Sequence, residues 1–472
     1  MKLAWCPVLL VLGACSLAPP LERPASGVPE AWKEASPAIE GQWAPALPAD
    51  ALSRGAWWEV FADPVLSVLM RDATSANLDL AAAAARVEQS RTLVKTAAAA
   101  QLPRIDFGAG AAASKPANVG PGLGTGPDLA SYERYTFGAA LSYEVDLFGR
   151  VRDNVRAADA DFNGQQALYQ SFVLALQAEV ARTYFLIRAA DAELVVLHTT
   201  VQLRRDTLTL DARRVLAGEV SEVDLARAEA ELQGVRTELI GVERTRAQYE
   251  HALAILLARA PATFALAPAP LSATPPRVPP GLPSTLLERR PDIAAAERRL
   301  EAANARIGVA KAAFYPLLNL TADASFVAND IGHLFAWSAR TWALGPLAGL
   351  LLVQPIFDGG RNAANLERAQ AALTEETARY RQQILSAVRE VEDALVALRT
   401  LAEQHDTVAN TLAASTRAQQ LAQQRFEAGQ TSYLEVLDAQ RQVLLAERQT
   451  QQISGERQLA TVALIRALGG GW

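Results

Sequence analysis

Apolar residues recur every seventh position through the middle of the chain. Val173, Val180, Ile187, Leu194, Val201, Leu208 and Val215 form one unbroken stripe. A sustained heptad of this kind marks a coiled-coil helix. After Gly218 a second stripe runs Leu225, Leu232, Leu239 and Leu253, with Ala228, Val235, Val242, Tyr249 and Leu256 three residues on. A looser version follows downstream at Ile384, Val391, Leu398, Leu412 and Phe426, interrupted by His405. Between Arg150 and Leu216 there is no proline and Gly164 is the only glycine. The spacing therefore predicts a helix on the order of 100 Å long, at about 1.5 Å per residue. A compact domain has no use for such a rod; a tube does.

The period changes to two in four other places. Ile105, Phe107, Ala109, Ala111 and Ala113 alternate with small or polar residues. Tyr135, Phe137, Ala139, Leu141, Tyr143 and Val145 do the same, as do Leu318, Leu320, Ala322, Ala324 and Phe326. A fourth segment, from Trp342 to Val353, is more evenly apolar, and its register is open. Strands are thus expected at about 104–114, 135–147, 317–327 and 342–355. Segments of about ten residues with one apolar and one polar face suit a membrane barrel around a wet lumen. Four strands cannot close a barrel, and an open edge in lipid leaves backbone groups unpaired. Two, three or four copies would give eight, twelve or sixteen strands, and the arithmetic does not choose.

The stripes and strands come in two sets. An offset of 211 pairs Gly149-Arg150 with Gly360-Arg361, Glu179-Val180 with Glu390-Val391, and Arg214, Ala217, Gly218 and Ser221 with Arg425, Ala428, Gly429 and Ser432. Upstream an offset of 213 pairs Asp79, Arg86 and Pro103 with Asp292, Arg299 and Pro316. The chain therefore reads as two copies of one unit, 59–260 and 284–470, joined by a Pro-rich linker over 261–283 that cannot be helical.

The N-terminus adds an address. Lys2 precedes an apolar run from Val8 to Leu12, too short to span a bilayer, and then Leu12-Gly13-Ala14-Cys15. This reads as a signal peptide over 1–14 ending in a lipobox, with Cys15 lipidated at the head of an extended segment, 15–58. Ser16, being other than Asp, directs such a lipoprotein to the outer membrane. Several acyl chains anchor firmly where one does not. Cys6 lies in the removed segment, so the mature chain keeps one cysteine and no internal disulfide. No later stretch reaches eighteen consecutive apolar residues, so any crossing of the membrane falls to strands.

Composition removes other classes. The 472 residues are 50% hydrophobic but only 6% aromatic, with alanine carrying much of the apolar share, as closely packed helices allow. A net charge of -6 without a basic block argues against nucleic acid. His198, His251, His333 and His405 are scattered without ligand spacing. Gly108-Ala109-Gly110 with Ala113 fits a dinucleotide pattern, but it lies in a strand rather than ahead of a helix. No catalytic constellation, metal or cofactor is expected, apart from the covalent lipid on Cys15.

Three motifs carry a family resemblance. They are Trp57-Trp58, Phe61-Ala62-Asp63-Pro64, Leu66 and Asn77-Leu78-Asp79-Leu80; then Arg290-Pro291-Asp292-Ile293, Ala296-Glu297, Ala310, Ala313 and Phe314-Tyr315-Pro316; then Pro355-Ile356-Phe357-Asp358-Gly359-Gly360-Arg361. In this order and spacing they resemble the TolC-like outer membrane factors, in particular the lipoprotein branch serving drug-efflux pumps. The resemblance spans nearly all of the mature chain. It implies a homotrimer whose twelve-stranded barrel continues into a twelve-helix tunnel. It also implies two partners, a periplasmic adaptor and an inner-membrane pump, and a passive duct that exports small molecules.

The resemblance places function at two turns with matching wording. Ala217, Gly218, Glu219 and Ser221, and Ala428, Gly429, Gln430 and Ser432, resemble adaptor-docking tips. The glycines also suit helix ends, and Ser221 and Ser432 suit N-caps. Beyond the second tip, Glu435 and Asp438 share a helical face, where threefold repetition would make an acidic ring at the inner entrance. Some relatives restrain this entrance with a tyrosine hydroxyl and an arginine; Phe426 and Thr431 stand here instead. Two alternatives remain: a duct for secreted proteins or metal ions, and a coiled-coil scaffold that never conducts.

Overall fold

Two helices of 67 residues dominate the computed structural model, which describes residues 16–22, 24, 31–34, 55–115, 130–271, 274–278, 289–344 and 350–470. The signal peptide and Cys15 lie outside the described residues. Helices α1 (Pro64–Ala76) and α2 (Leu78–Ala99) lead into strands β1 (Arg104–Ser114) and β2 (Tyr132–Val145). The helices α3 (Arg150–Leu216) and α4 (Glu222–Leu256) form a hairpin. The same order follows with α5 (Pro291–Ala312), β3 (Leu317–Ala328), β4 (Arg340–Leu344), β5 (Leu350–Val353), α6 (Arg361–Glu427) and α7 (Tyr433–Ala467). The chain divides into two units: Met1–Ala25 with Arg86–Gln166 and Ala295–Arg381, and Ser26–Ala85 with Ala167–Ala294 and Gln382–Trp472.

The first unit holds an antiparallel sheet in the order β1-β2-β3, with β4 and β5 both on the far side of β3. Register puts Phe137 opposite Phe326 and Ala324 opposite Trp342. One face is therefore apolar, with Phe107 and Phe137 ring to ring at 5.3 Å, and the other carries Thr136, Ser142, Asn319, Thr321 and Asp323. Every residue of β1 is exposed, while Phe335 packs ring to ring against Phe137 and Phe326 on the apolar face. The fourth strand is expected as one segment but forms two. Leu344 faces Ala322, whereas Leu350 faces Leu320, so the register advances by four residues between them.

Each strand-to-helix corner is held by an aspartate. Asp146 accepts from the backbone N–H of Val151 and Arg152 at 3.2 and 2.9 Å, and Asp358 from Gly360 and Asn362 at 3.0 and 2.9 Å. These bonds satisfy N–H groups that a helix start leaves open. Pro103 and Pro316 fall in the breaks between helix and strand.

In the second unit the family motifs become packing devices. Trp57 and Trp58 are buried, and Trp57 Nε1 donates to Gln177 Oε1 at 3.0 Å. Asp63 caps α1 through Val65 and Leu66 N–H, and also accepts from the Tyr184 hydroxyl at 2.5 Å. Burial and that carboxylate push the Tyr184 hydroxyl up to about 12. Asn77 caps α2 through Leu80 N–H while its amide closes the Leu256 carbonyl at the end of α4. Arg290 is buried, bidentate to Asp292 at 2.6 and 3.1 Å, and reaches Glu390 and the Ala467 carbonyl at 2.8 Å each.

Candidate functional site

All eight tip residues singled out from the sequence are exposed. Gly218 has φ +71° and Gly429 φ +69°, the left-handed geometry that glycine adopts without a Cβ penalty. Around Gly218, Glu219 N–H donates to Arg214 O at 2.9 Å and Gly218 N–H to Val215 O at 3.0 Å. Around Gly429, Gln430 N–H donates to Arg425 O at 2.8 Å and Gly429 N–H to Phe426 O at 2.9 Å. Both pairs are Schellman closures, so the matching wording encodes one turn twice. The caps differ. Ser221 Oγ accepts from Asp224 N–H and donates to Asp224 Oδ2 at 2.7 Å. Ser432 has the extended backbone of an N-cap but its side chain makes no capping bond, which corrects the expectation for that residue.

Glu435 and Asp438 lie exposed in the first turns of α7. The structure adds a cation that sequence reasoning passed over. Arg441 Nη1 lies 3.1 Å from Asp438 Oδ1, and its other nitrogen makes a close ion pair with Glu231 of α4, holding that carboxyl below its usual range. One heptad on, Arg448 meets Glu238 of α4 at 2.8 Å and Glu193 of α3 at 2.6 Å. Arg441 and Arg448 thus face Glu231 and Glu238 in a two-rung ladder. Beside it Arg204 of α3 donates to Gln440 of α7. Beneath these, Leu444 of α7 packs on Leu197, Val201, Leu232 and Val235 of the first hairpin. The heptad spacing of acid on one helix and arginine on another was the available signal.

Towards the tips the packing becomes less satisfied. Arg204 and Asp211 are 3% and 4% exposed. Arg204 Nε, Asp211 Oδ2, Thr431 Oγ1 and the Tyr433 hydroxyl are buried without a hydrogen-bond partner. The Tyr433 hydroxyl lies close to Thr207 but outside hydrogen-bonding geometry, while its ring tilts against Phe426 at 5.4 Å. An orphaned buried polar group costs about 1–3 kcal/mol. The first hairpin and α7 are therefore joined by an ion-pair ladder and an apolar core that give way to an unsatisfied polar end. An aromatic hydroxyl and an arginine do stand near this tip, as Tyr433 and Arg441 rather than at positions 426 and 431.

Burial holds the Asp211 carboxyl above its ordinary range, with Arg214 opposing the shift. A carboxyl raised in the folded tip binds its proton more readily there than in the unfolded chain. The penalty is absent below the ordinary value of about 3.9. It grows as pH rises through the raised value, and is complete above it. Asp211→Asn should therefore slow amide hydrogen exchange at this tip severalfold at pH 7, relative to the parent. The difference should vanish as pH falls into the carboxylate range. An equal ratio at both pH values would contradict the assignment.

The sequence model of the family described as outer membrane efflux protein matches residues 69–259 and 282–470. Outer membrane protein OprJ of Pseudomonas aeruginosa is 35% identical over 98% of this chain and 95% of its own. The solvent efflux pump outer membrane protein SrpC of Pseudomonas putida is 34% identical over 98% of this chain and 97% of its own. The crystal structure of the open state of the Neisseria gonorrhoeae MtrE outer membrane channel superposes with a TM-score of 0.83 at 29% identity, covering 97% of this chain and 98% of that one. With its strand-bearing unit and paired long helical hairpins, this chain belongs to the outer membrane efflux protein family and is an outer-membrane channel component of an efflux pump.

Proposed function

We propose that three copies of this chain assemble into a passive duct, closed at rest and opened on docking, which exports small toxic molecules handed over by an inner-membrane pump through a periplasmic adaptor. The observation that carries this reading is the sheet. It is apolar on one face and polar on the other, and among the described residues β1 and the β4–β5 pair are its edges. Such edges are not stable in lipid, and closure by further copies removes them. Three copies give twelve strands, a membrane barrel of ordinary size. Lipidation of Cys15 would tether each copy to the same membrane. Solvent and toluene in the names of relatives suggest lipophilic cargo.

The exposed Schellman turns at Gly218 and Gly429 are the proposed adaptor-docking tips, and Glu435 with Asp438 the proposed acidic ring. Arg441 offsets part of that charge within each chain. Planar-bilayer recording of the detergent-extracted protein tests both points. A channel should appear, and Asp438→Ala should lower its cation-over-anion permeability ratio severalfold. No conductance under any opening condition would sink the duct, and an unchanged ratio would sink the ring.

A further inference from the structure

The first described residues are pinned to the first unit by a built contact. Ser16 Oγ donates to Asp153, with its oxygens at 2.7 and 3.0 Å, and accepts from Ala18 N–H at 3.2 Å. Asp153 lies in the first turn of α3, fully buried, with Arg156 at 3.0 Å as its charge partner. The Pro19 carbonyl accepts from Asn304 Nδ2 of α5 at 2.8 Å. Gly308, one turn further along α5, closes the site: a Cβ there would stand 2.2 Å from Asp153 Oδ2 and 2.9 Å from the Ala18 backbone nitrogen. Glycine weakens a helix interior relative to alanine, so its presence needs a reason, and the close approach of Asp153 together with this strap supplies one.

The internal sequence offsets sharpen the point. At 211 and 213 residues, Asp153, Asn304 and Gly308 correspond to Ala364, Arg91 and Lys95. The other half keeps the helices without these three residues. Shared helix packing does not require them; the strap does.

We propose that Asp153, Asn304 and Gly308 form a seat for the mature N-terminus, holding the residue after Cys15 where helices pass into strands, and so fixing where the acyl chains leave the protein. The anchoring role rests on the lipoprotein reading of Cys15. Asp153 is eight residues past the end of β2, and Gly308 nine residues before β3, so the seat lies close to the membrane-facing sheet. An untethered leader would let the acyl chains insert anywhere within reach; a seated one confines them beside the barrel. The seat also demands a hydroxyl at position 16. An aspartate there would set two carboxylates within hydrogen-bond distance of each other in a buried site.

A nitroxide on Leu17→Cys tests this in the full, membrane-extracted protein, since an acylated Cys15 leaves no other free thiol. The parent label should be immobile. Ser16→Ala should lower the docked-to-free ratio about tenfold, as loss of a hydrogen bond to a charged group implies. Gly308→Ala should do the same without changing a strap residue, by crowding Asp153 and the Ala18 nitrogen. Palmitate labelling should persist in all three. Labels as immobile in both variants as in the parent would overturn the seat, and so would a mobile parent label. Palmitate missing from the parent, with the label still immobile, would overturn the anchoring role alone.

Discussion

Arg290→Ala should destabilise the fold by about 3–5 kcal/mol, the typical loss when one member of a buried ion pair is removed. The side chain is 7% exposed and ties together Asp292, Glu390 and the last turn of α7 through the Ala467 carbonyl. Alanine would leave Asp292 with Gln383 and its neighbouring backbone N–H as remaining donors. Arg290→Lys should recover only part of the loss, because an ammonium cannot reproduce a bidentate fork. The pH dependence has a defined sign. Burial pushes the Asp292 carboxyl up, but hydrogen bonding and attraction to Arg290 with the backbone N–H bonds together outweigh it and hold the carboxyl below its ordinary range. Its contribution is therefore complete above the unfolded value of about 3.9, and is lost only as pH falls through the lower folded value. Thermal melts of parent and variant should stay apart at neutral pH and converge only in strong acid. A variant that melts within about 1 kcal/mol of the parent, the range of an exposed pair, would refute the buried-pair account.

Charge reversal at Arg441 should act on the channel instead of on the fold. Arg441 is about half exposed, so its simple removal is worth little after solvent screening. Arg441→Glu is different, since it places a third acid between Glu231 and Asp438 on two helices that the arginine now joins. If the resting duct is held shut by this junction, the closed-to-open ratio should fall roughly tenfold, the equivalent of about 1.4 kcal/mol. Resting conductance in a planar bilayer should rise accordingly, most clearly at low salt, where screening is weakest. Restoring the pair with Glu231→Arg in the same chain should close the channel again, and the double-mutant cycle isolates the coupling. Conductance that ignores both changes would place the gate elsewhere. The buried Arg204, Asp211 and Tyr433 polar groups are the nearest alternative, because an end with unsatisfied groups is the one that opens at least cost.

Both sites show where reading along the chain succeeds. The heptads at 173–215 and 225–256 and the alternation at 105–113 and 318–326 are local patterns, and the helices and strands follow them closely. The glycines of the two tips announced their turns for the same reason: a left-handed residue closing a helix is a local demand. Arg441 was passed over although it stands three residues from Asp438, because its second partner is 210 residues away. Arg204 and Asp211 carry no mark of burial along the chain, yet both are buried in the fold. The motifs at Trp57, Asp63, Asn77 and Arg290 were visible as wording, but their work as caps and a buried clamp appears only once distant backbone groups meet them.

The element types, their order, the two matching tips and the amphipathic strands follow from the order of residues alone, because each depends on a repeat of two or seven positions, or on the conformational range of one residue. Which charges pair, the idle Ser432 side chain, the register shift between β4 and β5, and the room Gly308 leaves for Asp153 and Ala18 emerge only in the folded chain. Those outcomes depend on burial and on which side chains and segments approach one another in space, and no periodicity along the chain records them.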